Sequence, residues 1–261
     1  MKIGFFDSGI GGITVLHQAI KLLPNEEYLF YADTLHVPYG EKTKAEVKKY
    51  IFEAAEFLDN QGIEALVIAC NTATSIAIND LRERYDFPIL GIEPAVKPAV
   101  QNSKGNTKKV LVLATNLTLR EEKFHKLVQS VDKYDVVDFI ALPGLVEFAE
   151  KFKFDEGTVI PYLEDALYPL NLYDYGTVVL GCTHFPYFTN SIKNIFPEGV
   201  HIISGSFGTA KNLDRILQSS RSQVKKSKRD IKFFESGNLI TDKETLNDYW
   251  DLFKMLDQLY L

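Results

Sequence analysis

Two short stretches of this chain end in residues that can do chemistry. Residues 66–72 read LVIACNT and residues 178–184 read VVLGCTH, and between them they hold Cys70 and Cys182, the only cysteines in the sequence. Each is a continuous apolar run, shorter than a globular helix, that ends in a small residue, a cysteine and polar side chains. A strand buried on both faces of a parallel sheet has this pattern as it emerges at its carboxyl end, where open α/β sheets place their chemistry. A thiol reacts as the thiolate, and a helix N-terminus or a nearby cation favours that form. Both cysteines precede predicted helices, so both can be activated by the same means. One such cysteine alone reads as a small buried hydrophobe. Two at matching positions point to chemistry.

The match extends to the strands around them. Residues 3–9 (IGFFDSG) and 110–116 (VLVLATN) are apolar runs that end in polar residues, and each is followed later by a strand ending in cysteine. The expected fold is α/β: two similar domains with mainly parallel sheets, related by a pseudo-twofold axis, each contributing one thiol to a cleft between them.

Three kinds of thiol chemistry compete. Disulfide exchange usually places its two cysteines close in sequence, which these are not. A cysteine hydrolase needs one cysteine and a histidine base; His184 lies beside Cys182, but Cys70 would then have no task. Proton transfer by two bases needs an acid and a base on opposite faces of one carbon, and duplicated units supply that geometry. A thiolate that removes a proton from one face, with a thiol returning one to the other, inverts a stereocentre with no cofactor. Asp7 and His184, at strand ends beside the cysteines, are placed to tune the thiols or take part in the transfer.

Other elements must position these groups. Gly9, Gly11 and Gly12 lead from the first strand into a helix with Ile13, Leu16, Ile20 and Leu23 on one face. A glycine-rich turn of this kind can offer N–H groups to an anion, and a ligand carboxylate is the expected occupant; a tight turn with no ligand is the competing reading. The spacing matches neither the dinucleotide fingerprint nor the P-loop. A strand over 27–31 runs into a turn at Pro38, Tyr39 and Gly40, where Tyr39 offers a phenol hydroxyl. Helices are predicted over 44–60 and about 74–85, then a strand over 88–92 and a connection, EPAVKPAV, toward the second unit. There the periodicity predicts helices over 119–130, 145–153, 159–167 and 187–195. Strands are predicted over 136–142 and 201–204, and Gly205 and Gly208 precede a helix to 217. The basic segment 221–229 reads as a solvated connector. A strand, IKFFES, and a helix over 243–259 close the chain.

Composition bounds the partners. The 261 residues are 46% hydrophobic and 25% charged with a net charge of −6, which suits a globular protein and argues against an extended nucleic-acid surface. The expectation is a cytoplasmic protein, because no apolar run is long enough to span a bilayer and the first residues carry no secretory leader. The cysteines fit neither a disulfide framework nor a common zinc spacing, so no metal site is expected.

The assembled motifs, FDSGIGG, YADTLHVPYG, ACNTAT and LGCTHFP, resemble those of the glutamate racemases of bacterial cell-wall synthesis, in the cofactor-independent aspartate/glutamate racemase superfamily. The resemblance covers essentially the whole chain, including ESGN near its end. It implies interconversion of L- and D-glutamate for peptidoglycan without a cofactor, in a discontinuous first domain of residues 1–97 and 211–261 and a second of 98–210. It implies that Cys70 and Cys182 are the two catalytic thiols, assisted by Asp7 and His184. It further implies substrate binding by Asp7 and Ser8, Tyr39 and Gly40, Asn71 and Thr72, and Thr183 and His184, with Thr115 and Thr118 at a threonine pair. Glu150 falls on the family's auxiliary glutamate, although the same match puts Glu147 where proline is usual. The chain departs from the family at Ala32, His36 and Leu142. A homodimer without an obligatory activator is expected. Three alternatives remain: a racemase for aspartate or another acidic amino acid, a non-catalytic role of the kind by which some family members inhibit DNA gyrase, and a cysteine hydrolase, in which Cys70→Ser would be harmless.

Overall fold

The computed structural model describes residues 1–102, 108–218 and 230–259. The basic segment at 221–229 lies outside them. The chain begins β1 (Lys2–Asp7), α1 (Ile13–Leu22), β2 (Glu27–Ala32), α2 (Lys44–Asn60), β3 (Ala65–Ile68), α3 (Asn71–Arg84), β4 (Ile89–Gly91) and α4 (Val96–Asn102). It continues with β5 (Lys109–Ala114), α5 (Asn116–Arg120), α6 (Glu122–Val131), β6 (Val137–Ala141), α7 (Pro143–Glu150), α8 (Glu156–Leu167), β7 (Tyr175–Leu180), α9 (Thr189–Ile195), β8 (His201–Ser204) and α10 (Ser206–Gln218). The last elements are β9 (Asp230–Glu235), β10 (Asn238–Leu239) and α11 (Lys243–Leu259).

The strands form two sheets, ordered β10-β9-β2-β1-β3-β4 and β6-β5-β7-β8. Every pairing is parallel except the hairpin of β9 and β10, whose turn places Ser236 and Gly237 at positive φ, as a two-residue hairpin connection requires. The duplication is explicit in the order: β2-β1-β3-β4 in one sheet corresponds to β6-β5-β7-β8 in the other. Cys70 and Cys182 follow β3 and β7, the equivalent strands of the two sheets.

Continuous apolar strands are buried on both faces, as their composition predicts. In β1, Ile3 and Phe5 enter one core cluster and Phe6 another; in β3, Ala65 and Val67 point one way, and Leu66 and Ile68 the other. The largest cluster also takes Leu111 and Leu113 of β5 and Val178 and Leu180 of β7, so one continuous core joins the two sheets. α2 is fixed at its start by a capping box between Thr43 and Glu46, an arrangement worth on the order of 1 kcal/mol.

Several expectations are corrected. EPAVKPAV is not only a connection, since Val96–Asn102 is helical and buries Val96, Ala99 and Val100. The helix expected over 119–130 breaks at Glu121 into α5 and α6. Gly208 lies inside α10 rather than before it. The helix after Cys70 begins at Asn71, earlier than periodicity indicated, because the thiol itself caps it: the Ala73 N–H donates to Cys70 Sγ at 3.4 Å.

Candidate active site

The carboxyl ends of the central strands converge on one pocket. Its walls include Ser8 after β1, Tyr39 and Gly40 from the turn after β2, and Cys70, Asn71 and Thr72 after β3. Thr115 and Asn116 after β5, Pro143 and Val146 of α7, and Cys182, Thr183 and His184 after β7 complete it. Cys70 and Cys182 are 5% and 6% exposed, so each meets the pocket from a nearly closed wall. Asn71 is 6% exposed, yet neither its Oδ1 nor its Nδ2 has a hydrogen-bond partner. An amide buried without partners costs on the order of 1–3 kcal/mol, which a polar ligand in the pocket would relieve.

The two thiols have unlike surroundings, contrary to the expectation that both are activated in the same way. Burial and the nearby Asp7 carboxylate push the Cys70 thiol well up, and this outweighs the favourable Ala73 N–H and Ser8 hydroxyl. Cys182 is followed by a single 3₁₀ turn, Phe185–Phe188, and its Sγ lies 3.6 Å from His184 Nδ1. The other ring nitrogen, Nε2, meets Glu150 Oε1 at 2.5 Å. Burial works against charge on His184, but hydrogen bonding to Cys182 and Glu150 and the negative charge of Glu150 overcome it, holding the imidazole well above its ordinary value. A charged imidazolium donates from both nitrogens, one toward the thiol and one toward the carboxylate.

Asp7 lies beneath the pocket wall, fully buried. Its Oδ2 accepts from the N–H groups of Gly9 and Gly12 at 3.3 and 2.9 Å, and Oδ1 accepts from Thr183 Oγ1 at 3.2 Å. Burial raises its carboxyl to about 6 against the pull of His184 and these amides. Glu150 Oε1 also accepts the Ile10 N–H at 2.9 Å. The glycine-rich turn is thus occupied by the protein's own carboxylates, Asp7 and Glu150, and the expected ligand carboxylate does not belong there.

The glycines serve close approach instead. A Cβ on Gly11 would stand 2.6 Å from both His184 Nδ1 and Thr183 Oγ1, and one on Gly9 would overlap the Glu150 carboxylate. Gly11→Ala must displace His184, and with His184 in the role the sequence leads us to expect, kcat/KM should fall about 10²-fold, the scale of effect of a misplaced group beside the reacting atoms. Gly208→Ala is the control: nothing lies within 4 Å of its added Cβ, so steady-state kinetics should match the wild type.

On the opposite wall the Tyr39 hydroxyl donates to Asp33 Oδ2 at 2.5 Å, and Asp33 is held further by His36 and Ser236. Thr72, Thr115 and Thr118 form a triangle of hydroxyls 2.9–3.0 Å apart. Glu147 is half exposed and pairs with Lys151, away from this cluster. Of the predicted residues, Asp7, Thr118 and Glu150 are set back from the pocket surface and reach it through Thr183, Thr72 and His184. Composition and spacing alone did not reveal Glu41, Asn116, Pro143 and Val146; Asn116 could be found from the repeat, since it opens the helix after β5, the strand equivalent to β1. Among the described residues no three of His, Cys, Asp and Glu are gathered as a metal site would need, and no helix is long and apolar enough to cross a membrane.

Comparison with known proteins shows the family. The Asp/Glu/Hydantoin racemase family model matches residues 15–206. Glutamate racemase 2 of Bacillus subtilis (strain 168) is 61% identical over 99% of this chain and 97% of its own. The glutamate racemase of Halothermothrix orenii is 58% identical over 97% of this chain and 99% of its own. The crystal structure of the Escherichia coli glutamate racemase, in complex with L-glutamate and the activator UDP-MurNAc-ala, superposes with a TM-score of 0.81. That pair shares 28% identity over 95% of this chain and 94% of the other.

Proposed function

Because the chain belongs to the Asp/Glu/Hydantoin racemase family, and within it to the glutamate racemases, we propose that its two buried thiols interconvert L- and D-glutamate by proton transfer at Cα. The observation that carries the reading is the pair of cysteines at equivalent strand ends of a duplicated fold, both lining one pocket. One thiolate takes the α-proton while the other thiol delivers a proton to the opposite face, so the two exchange roles with each turnover. His184, held by Glu150, supplies positive charge beside Cys182; Asp7 orders the turn under the pocket and the hydroxyl of Thr183. The unpartnered Asn71 amide and the threonine hydroxyls are suited to the substrate's polar groups. Supply of D-glutamate for peptidoglycan, a cytoplasmic setting and a homodimer belong to the same reading.

Incubating the protein with L-glutamate in deuterated water, with no added cofactor, tests it. Circular dichroism should decay to zero while deuterium enters at Cα. A stable signal with glutamate and loss of signal with L-aspartate would move the activity to the shorter acid; no change with either would remove the racemase reading.

A further inference from the structure

We propose that Lys44 and Glu121 form a latch across the mouth of the pocket and act as positioning residues that hold its two walls together on bound amino acid. The inference rests on the racemase reading and adds a means of retaining the substrate. Lys44 opens α2, directly after the turn that supplies Tyr39 and Gly40, and Glu121 joins α5 to α6, directly after the segment that supplies Thr115 and Thr118. Lys44 Nζ donates to Glu121 Oε2 at 2.7 Å. Inside the pair the walls already touch. Thr72 lies 3.0 Å from both Thr115 and Thr118, and a Cβ on Gly40 would come within 2.9 Å of Thr115 Cβ.

With both thiols almost inaccessible, an amino acid reaches them only if these walls part. The threonine hydroxyls can trade partners with a polar ligand as it enters. Lys44 and Glu121 do not line the pocket and have no such exchange, so their attraction favours the closed arrangement whatever the pocket holds. The pair is asymmetric in a way that suits a latch. The Glu121 side chain is 10% exposed and its carbonyl accepts the Phe124 N–H in the first turn of α6, while the Lys44 side chain is 58% exposed. A fixed carboxylate therefore receives a solvated arm, and the arm can withdraw into water at little cost.

Lys44→Met should raise KM for both enantiomers roughly two- to fivefold, the range open to an ion pair with one exposed partner, without lowering kcat. Salt should raise the wild-type KM more steeply than that of the variant, and Lys44→Arg should behave as the wild type. Lys44 is exposed at a helix start, so an unchanged melting temperature is the check on folding. An unchanged KM, a fall in kcat with KM unaltered, or a Lys44→Arg variant as impaired as Lys44→Met would overturn the latch. Binding of L-glutamate measured by calorimetry keeps the test independent of turnover. If the wild type binds but does not racemise, the racemase reading fails, while a Kd equal in wild type and Lys44→Met defeats the latch itself.

Discussion

Cys70→Ser and Cys182→Ser are each expected to lose kcat/KM on the order of 10³-fold, because in the proposed reaction each removes one of the two groups that carry protons. A serine hydroxyl is far too weak an acid to supply an alkoxide base near neutral pH. Enantiomers have equal free energy in water, so the equilibrium constant is one and kcat/KM must stay equal in the two directions for every variant. The handedness of the defect therefore cannot show in kcat/KM. It should show in exchange: with one thiol left, the α-proton can still be removed from one face, so residual deuterium incorporation without inversion should occur in one enantiomer. The other variant should show it in the opposite enantiomer. Nuclear magnetic resonance of each enantiomer after incubation in deuterated water reads this directly. Exchange confined to the same enantiomer in both variants would mean that the thiols do not face opposite sides of the carbon. The unlike surroundings of the thiols add a second expectation, that the two variants divide their losses differently between kcat and KM. Cys70 is raised by burial and by Asp7, whereas Cys182 sits 3.6 Å from the ring of His184.

Much of this site was legible because strands buried on both faces leave a plain mark. LVIACNT and VVLGCTH are apolar without alternation, and their last residues stand where a parallel sheet opens; β3 and β7 are the strands so predicted. α2 and α11 span the predicted ranges 44–60 and 243–259, since both keep one apolar stripe from a polar start. The failures have physical causes too. Periodicity placed the start of α3 late because an N-cap made by a cysteine is not among the usual cap residues, and Asn71 and Thr72 are poor helix formers. The break at Glu121 is invisible in a stretch with continuous helical composition: Glu121 is extended, at φ −75° and ψ 134°, and its carboxylate meets Lys44, which is distant in sequence. The glycines of the first turn show in sequence only that N–H groups are on offer. Which carboxylates arrive there depends on α7, distant in sequence, whose last residue Glu150 reaches Ile10 and His184.

Asp7→Asn is expected to move activity and stability in opposite directions. The Asp7 carboxyl is fully buried, and burial raises it to about 6 in spite of His184 and the amides of Gly9 and Gly12. If the ionised form is the working one, kcat/KM of the wild type should fall as the pH drops through about 6. The asparagine variant, neutral throughout, should lack that limb and run on the order of 10²-fold slower at pH 8. Stability follows from the same shift. Between the ordinary 3.8 and about 6 the folded protein holds a proton on Asp7 that the unfolded chain has released, so stability falls as pH rises across that window. The loss is complete above about 6 and amounts to about 3 kcal/mol at 1.36 kcal/mol per pKa unit. An asparagine at this position cannot ionise and escapes the loss, while its side-chain oxygen keeps one acceptor for the turn. The variant should therefore melt above the wild type at pH 8, with the difference shrinking toward pH 4. A variant that is slower and also melts lower at pH 8 would show that Asp7 supports the fold through its hydrogen bonds more than it strains it by its charge. A variant that is slower and melts higher would identify Asp7 as a charge held at a cost to stability, beside the Cys70 thiol that it pushes up.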